Sequence, residues 1–353
     1  MKIYPVRPAE LDTFVELPFE LHCDDPRWIP PLRAAVRAEL EADPRWELWL
    51  CERGGEVVGR VGALVDPRLP AIGQLGYFES VDDAAVAGAL FEAACARLAT
   101  QEMAEVWGPM NGGAHRAHRL QVSGFEREPF LFEPRNPPYY RELFETHGFR
   151  SLGTWTTSEL DAGQLEELCA RIAGRPSWKR VSRGYRVDYP DPRDVEGTLA
   201  RIYGLLNRVW EGHLGYVPLS PEEFAGTAAG LLSIMGERDI GVVVDPGGRD
   251  VGFAFVYPDY ADEVRALAGD AAGWGRWLGG ARPRRLVLHT LAFLPEARRG
   301  VAPLVLTERG LRNALERGFE ELVFALASEE LRWFDRVARP TREYRLYGRS
   351  LAP

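Results

Sequence analysis

One segment, residues 285–313, constrains the fold of this chain more than any other. It begins with a β-branched and aromatic run, 286–294, that predicts a buried strand, which Pro295 ends. A short basic turn of Arg298, Arg299 and Gly300 follows, and leucines at helical spacing then predict an amphipathic helix. A strand, a basic glycine turn and a helix together present backbone N–H groups and positive charge to a phosphate. The alternative is an ordinary connection between a strand and a helix that carries two solvated arginines.

The turn lacks the two best-known phosphate-binding motifs. It contains no G-x-x-x-x-G-K-[ST] and no G-x-G-x-x-G, which excludes a Walker loop and a dinucleotide fingerprint. It resembles instead the acyl-CoA pyrophosphate loop of the GNAT acetyltransferase superfamily, in which a fourth strand leads through R/Q-x-x-G-x-G/A into the third helix. The matching residues, one residue short of the family spacing, are Arg298, Arg299, Gly300, Val301 and Ala302.

A second segment, 136–149 (NPPYYRELFETHGF), resembles the pattern N-x-x-A-x-x-L-Y-E-K-x-G-F near the end of a GNAT domain. The residues in register are Asn136, Leu143, Glu145, Gly148 and Phe149. This closing pattern precedes the coenzyme loop in the chain, which is the wrong order for a single domain. The chain therefore resembles two GNAT-like domains in tandem.

The order of predicted elements agrees with a repeated architecture. Both halves contain a strand, two helices, further strands, a helix and then a strand, and glycine-containing turns at 54–55 and 245–248 predict hairpins. The expected fold class is α/β with a mixed (α+β), mostly antiparallel sheet and helices on both faces of each domain. The expected domains are 1–160 and 179–353, joined by a connecting helix and linker at 161–178. A helix near 329–338 and a final strand near 342–349 complete the second half, and the final strand of one half could complete the sheet of the other.

Composition limits the class of protein and its partners. A chain of 353 residues, 46% hydrophobic and 27% charged, suits two soluble globular domains. The net charge of −9 argues against nucleic acid or an anionic membrane as a partner, and nothing indicates an oligomer. The four cysteines form no C-x-x-C, which favours reduced, buried thiols. The chain has no apolar signal segment, so we expect a cytoplasmic protein, and the strong preference for arginine over lysine favours a high-GC bacterial genome.

The resemblance implies where acyl-CoA would bind. In the family the pyrophosphate lies on the N-terminus of the third helix and the pantetheine runs along the fourth strand, here Leu291, Ala292 and Phe293. The corresponding turn of the first half contains Asp82 and Asp83, which are expected to cap their own helix and to repel a pyrophosphate. We therefore expect a coenzyme, acetyl-CoA or another acyl-CoA, in the C-terminal domain only.

Candidate catalytic residues are fewer. His289 lies on the fourth strand and could accept the proton of the attacking amine, although a buried core histidine is the simpler alternative. Glu211, with His213 nearby, follows the first helix of the second half, where acceptors usually bind in the family. The family's tyrosine acid is replaced by Phe144 in the first half and by Phe334 in the second, and nothing shows that the nearby Tyr344 and Tyr347 substitute for it.

No metal site is expected. His115 and His118 form an H-x-x-H without a third ligand at a recognisable spacing, so a solvated loop is the preferred interpretation. The sequence as a whole predicts an acyl-CoA-dependent N-acyltransferase that acts on a small-molecule or peptide amine. The alternative is a non-catalytic binding or regulatory protein with the same fold.

Overall fold

The structure, a computed structural model, describes residues 1–191, 193–329 and 338–351. The strands are β1 (Lys2–Pro5), β2 (Glu47–Arg53), β3 (Glu56–Val65), β4 (Ile72–Ser80), β5 (Glu105–Gly108), β6 (Leu120–Gln121), β7 (Arg150–Asp161), β8 (Arg186–Asp188), β9 (Ile240–Val244), β10 (Asp250–Pro258), β11 (Arg285–Phe293), β12 (Glu321–Ser328) and β13 (Pro340–Ser350). The helices are α1 (Leu11–Leu21), α2 (Arg33–Ala42), α3 (Ala84–Thr100), α4 (Tyr140–Thr146), α5 (Ala162–Ala173), α6 (Trp178–Val181), α7 (Val195–Trp210), α8 (Pro221–Leu232), α9 (Ala261–Ala266) and α10 (Ala302–Glu316). Within the described part of the chain, no helix is long and apolar enough to cross a membrane.

The chain forms two compact units, and each is assembled from separate stretches. The first unit contains Met1–Trp155, Ala261–Arg276 and Arg342–Pro353, and the second contains Thr156–Tyr260 and Trp277–Thr341. The sequence predicts contiguous domains instead, because periodicity locates elements without showing which of them pack together. The segment Ala261–Arg276, predicted only as an insert that covers one face, clusters with the first unit, where Arg33 donates its backbone N–H to Gly269 at 3.0 Å.

The first unit has the strand order β1-β2-β3-β4-β5-β13-β7, with β6 paired to β13. Gly54 and Gly55 have φ values of 67° and 92° and connect β2 to β3, as the predicted hairpin requires. The antiparallel pairing of β13 with β5 brings Tyr347 opposite Gly108, so a late strand completes this sheet. Helix α3 buries a row of apolar side chains against β2 and β3: Val86, Ala87, Leu90, Phe91, Ala94, Cys95 and Leu98.

The second unit has the strand order β7-β12-β11-β10-β9-β8. Its core lies between the sheet, α5 and α10, and includes Leu165, Leu286, Leu311, Leu322 and Phe324. The predicted helix near 329–338 lies largely outside the described residues. The predicted mixed sheet is confirmed, because β11 pairs with β12 in parallel and with β10 antiparallel.

The free cysteines follow the prediction in part. Cys51, Cys95 and Cys169 are buried, whereas Cys23 is exposed. Burial raises the pKa of Cys95 to about 11, so this thiol stays protonated and behaves as a small apolar side chain.

Candidate functional site

The edge of β11 in the second unit opens part-way along the strand. Its parallel pairing with β12 runs from Arg285 opposite Glu321 to Leu288 opposite Phe324. Both strands continue, to Phe293 and to Ser328, but no further pairing joins them in the described residues. The ladder between these two strands therefore ends at Leu288, and among the described residues no strand pairs with 289–293 on this side.

A β-bulge lies at the end of this ladder. Val256 of β10 pairs with Leu288 and Phe255 pairs with Thr290, which leaves His289 as the extra residue. His289 is exposed, its Nδ1 lies 2.8 Å from Thr290 Oγ1, and its ring centroid lies 6.0 Å from that of Tyr257. The alternative of a buried core histidine is therefore wrong, and the catalytic assignment of His289 remains a prediction.

Helix α10 begins next to this edge without a side-chain cap. Val301 occupies the N-cap position in a helical conformation, and its side chain caps no N–H group of the first turn. Three longer helices of the same unit have side-chain caps, α5 from Asp161, α7 from Asp194 and α8 from Ser220, whereas the one-turn α6 has none. The start of α10 therefore retains donor groups and the positive end of the helix dipole.

The preceding glycine leaves room at the turn. A Cβ built on Gly300 would have Ala297 O, at 3.4 Å, as its nearest neighbour, and Gly300 is exposed with no positive φ. The packing of the chain itself therefore does not require glycine at this position. A bound group that approaches the backbone closely would require it.

The two arginines of the turn have different environments, although the sequence does not distinguish them. Arg298 donates from Nε to Phe293 O at 3.2 Å and from Nη2 to Val209 O at 2.8 Å, and Nη2 lies 3.4 Å from His213 Nε2. Its guanidinium thus fastens the turn to the ends of β11 and α7. Arg299 is exposed and makes no hydrogen bond or ion pair with the residues that the structure describes.

The end of α7 lies beside the same turn. His213 contacts the Arg298 guanidinium, and its ring centroid lies 5.1 Å from that of Trp210. Glu211 is the exposed C-cap residue of α7, and no contact among the described residues joins it to His289. The structure therefore brings His213 to the turn but does not link the two predicted catalytic side chains.

The equivalent turn of the first unit is capped from within the chain. Asp83 accepts hydrogen bonds from the backbone N–H groups of Ala85 at 2.8 Å and Val86 at 3.1 Å, as predicted. It also pairs with Arg53 at 2.5 Å, and the hydrogen bond from Arg53 is the largest cause of the lowered pKa of Asp83. The start of α3 consequently has its donors and its dipole already compensated.

The open edge of β4 is also filled by the chain itself. The pairing of β4 with β5 ends at Gln74, and beyond it Met110 donates its N–H to Leu75 O at 2.8 Å. Asn111 Oδ1 then accepts from Tyr77 N at 3.0 Å, and a Cβ on Gly76 would lie 2.6 Å from this oxygen. The sequence did not predict that Met110 and Asn111 would cover this edge. A local signal for it is Gly76, a glycine inside a strand.

The candidate tyrosine acids do not belong to the second unit. Phe144 is fully buried in the core of the first unit. Tyr347 is also buried there and donates to Glu145 at 3.1 Å, while burial, with help from Glu145, raises the pKa of Tyr347 to about 12. Tyr344 is buried in the first unit as well, and Phe334 lies outside the described residues.

The H-x-x-H pair lies in a loop and His115 is half-buried, but the expectation of a solvated His118 is wrong. His118 is buried against Trp155, with the ring centroids 5.9 Å apart, and its Nδ1 lies 2.8 Å from Arg116 O. Burial lowers the pKa of His118 well below its usual value. No group of three or more metal-ligating side chains occurs among the described residues.

No family model matches the chain, but its structure is similar to known folds over its full length. A tandem GNAT protein from the clavulanic acid biosynthesis pathway aligns with a TM-score of 0.58 and 13% identity, over 100% of this chain and 99% of that one. This chain has the tandem GNAT fold. A probable N-acyltransferase from Enterococcus faecalis V583 aligns with a TM-score of 0.56 and 11% identity, over 99% of this chain and 72% of that one.

Two curated proteins are similar in sequence along nearly the whole GNAT-fold chain. Protein YghO of Escherichia coli (strain K12) is 25% identical over 391 aligned positions, which cover 97% of this chain and 93% of YghO. A bacterial ceramide synthase of Caulobacter vibrioides is 24% identical over 380 positions, which cover 99% of this chain and 98% of the synthase. The similarity to the tandem GNAT structure confirms the fold predicted from the two sequence patterns.

Proposed function

We propose that the second unit is an N-acyltransferase that moves an acyl group from acyl-CoA to an amine. The observation that carries this proposal is the open edge of β11 beside the uncapped start of α10. In the first unit the matching edge is filled by Met110 and Asn111, and the matching helix is capped by Asp83. Only the second unit therefore keeps both the strand edge and the helix terminus that a coenzyme needs.

The coenzyme would follow the edge and end at the turn. The pantetheine amides would hydrogen-bond the backbone of Leu291, Ala292 and Phe293 as an added strand does. The pyrophosphate would accept from the first N–H groups of α10, at Val301 and Ala302, where the helix dipole favours an anion. Arg299 would supply the charge-assisted hydrogen bond, while Gly300 leaves the approach clear and Arg298 holds the turn in place.

The chemistry would be a direct transfer. The amine nitrogen forms a bond to the thioester carbonyl carbon, and the carbon–sulfur bond breaks to release the CoA thiolate. A backbone N–H at the bulge would polarise the carbonyl oxygen, and His289 would take the amine proton directly or through water. Glu211, at the end of α7, would orient the acceptor, and the thiolate would take a proton from solvent.

The proposal also specifies the amine acceptor and the acyl group. The sequence-based expectation is acetyl-CoA or another acyl-CoA and a small-molecule or peptide amine. The curated relative named as a ceramide synthase, 24% identical, favours a lipid-like amine and a longer acyl chain, since a ceramide is an N-acylated long-chain amino alcohol. A test panel should therefore include short-chain and long-chain acyl-CoA donors, and small-molecule, peptide and long-chain amines.

Two measurements test the function. Calorimetric titration with CoA should give one site per chain, and release of CoA thiol in the presence of an amine panel should give turnover that His289→Ala lowers about 100-fold. The replacement of the family's tyrosine by Phe144, and by Phe334 in the second half, favours the non-catalytic alternative. CoA binding without turnover on any amine would support that alternative, and absence of CoA binding would refute the proposed acyl transfer and leave a non-catalytic protein with the same fold.

A further inference from the structure

An apolar cavity lies between the sheet of the second unit and helix α10. Its volume is about 50 Å³, and it is lined chiefly by Val256 of β10, Leu286, Leu288 and Leu291 of β11, and Leu306 and Gly310 of α10. Gly241 of β9 and Phe324 of β12 also contribute, so the lining crosses four neighbouring strands. At the usual strand spacing of ~4.8 Å, four strands span about 14 Å.

The cavity meets β11 at its bulge. Leu288 and Leu291 stand on either side of His289, both are half-buried, and both line the cavity. In the proposed function the thioester carbonyl lies at this bulge. A chain attached to that carbonyl would therefore start beside two residues that line the cavity.

The two faces of the sheet separate the donor chain from the acceptor. Val256 lines the cavity on the α10 face, and its neighbour Tyr257 points to the opposite face, because successive strand residues alternate. The His289 ring lies beside Tyr257. The amine whose proton His289 would take therefore approaches from one face, and the cavity lies on the other, which makes it a place for the acyl chain and not for the acceptor.

We infer that the acyl group carried by the donor is longer than acetyl and that its hydrocarbon chain occupies this cavity. The inference rests on the proposed acyl transfer and specifies its donor. A cavity of about 150 Å³ holds the six carbons of benzene, so a cavity of about 50 Å³ holds about two carbons, more than the single methyl of an acetyl group would fill. The similarity to a protein named as a ceramide synthase agrees with a fatty acyl donor.

A chain-length series tests the inference. Each buried methylene raises affinity about fourfold, so the two methylenes that the cavity can hold should raise it on the order of tenfold, with little further gain from a longer chain. Calorimetric dissociation constants for acetyl-, hexanoyl- and dodecanoyl-CoA, each divided by that of CoA alone, should fall steeply from acetyl to hexanoyl. Equal ratios for acetyl- and hexanoyl-CoA would overturn the inference.

A cavity-filling variant locates the chain. Gly310 lies in α10, and a Cβ added there meets no atom within 4 Å, so Gly310→Leu can place its side chain in the cavity while improving helix propensity. The matched control is Gly226→Leu in α8, where a Cβ also meets nothing within 4 Å and the residue does not line the cavity. Gly310→Leu should remove the hexanoyl gain and leave CoA and acetyl-CoA binding unchanged, while the control behaves as the parent.

The possible results distinguish failure of this inference from failure of the proposed acyl transfer. If acetyl-CoA binds and turns over as well as longer donors, the function stands and the inference fails. If Gly310→Leu instead raises the KM of a long-chain amine without changing donor preference, the cavity holds the acceptor and the inference also fails. Absence of binding by CoA and by every acyl-CoA would refute the proposed function itself.

Discussion

Removal of the Arg299 guanidinium should weaken CoA binding without disturbing the fold. Arg299 is exposed and makes no hydrogen bond or ion pair with the described residues, so Arg299→Ala removes no contact that stabilises the chain. A charge-assisted hydrogen bond to phosphate is worth roughly 1.5 to 3 kcal/mol, and solvent exposure favours the lower limit. We therefore expect the dissociation constant of CoA to rise about tenfold and the melting temperature to stay within about 1 °C.

The assay compares CoA with pantetheine, which lacks the pyrophosphate. Arg299→Ala should leave the affinity for pantetheine within about twofold of the parent, because the strand edge that binds it is unchanged. Arg309→Ala is the control: Arg309 is an exposed arginine on α10, so both variants change the net charge equally. The difference between Arg299→Ala and Arg309→Ala should shrink at about 1 M salt, where charges are screened beyond ~3 Å.

Three results would refute the reasoning about this turn. CoA affinity equal in Arg299→Ala and Arg309→Ala would place the pyrophosphate elsewhere. Equal losses for CoA and pantetheine would mean that the variant distorts the strand edge. Arg298→Ala should destabilise the protein by about 1 kcal/mol, because Phe293 O and Val209 O lose a donor, and unchanged stability would contradict the structural role assigned to it.

The remaining predictions concern catalysis, pH and packing. His289→Ala should lower turnover about 100-fold with CoA affinity unchanged, and normal turnover per folded molecule would remove His289 from the mechanism. The lowered pKa of buried His118 means that the unfolded chain binds the extra proton, so stability should fall by about 1 kcal/mol from pH 6.5 to 5.5. Denaturant unfolding of His118→Phe should show a flatter pH dependence over this range, and an unchanged slope would contradict it. Thr307 Oγ1 is buried and has no hydrogen-bond partner among the described residues, so Thr307→Val should stabilise by about 1 kcal/mol, and a lower melting temperature would show that the hydroxyl is satisfied in solution.

Features set by neighbouring residues could be predicted from the sequence. The hairpin at Gly54 and Gly55, the cap provided by Asp83 and the strand–turn–helix of 285–313 depend on local conformational preferences and hydrogen bonds. These are decided within a few residues, and all three occur as expected. The sequence patterns near 136–149 and 298–302 then sufficed to indicate the fold.

Features that join distant residues could not be predicted. The carbonyls that engage Arg298 include Val209, 89 residues away, and nothing in the turn distinguishes this arginine from Arg299. Asn111 reaches Tyr77 across 34 residues. Such contacts depend on packing that no periodicity encodes. The burial of His118 could not be predicted for the same reason, because it depends on which residues pack over the loop.

Because the late strand β13 completes the sheet of the first unit, the order of synthesis on the ribosome matters. The sheet of the first unit needs residues 342–350. The ribosome makes the whole of the second unit after Trp155 and before these residues. At ~5–20 residues per second, the nascent first unit waits of the order of ten seconds or more for its last strand. During that interval the edge of β5 is exposed and can pair with another chain. A peptide of residues 342–351 added in trans should therefore rescue a chain truncated before Arg342 and suppress its aggregation.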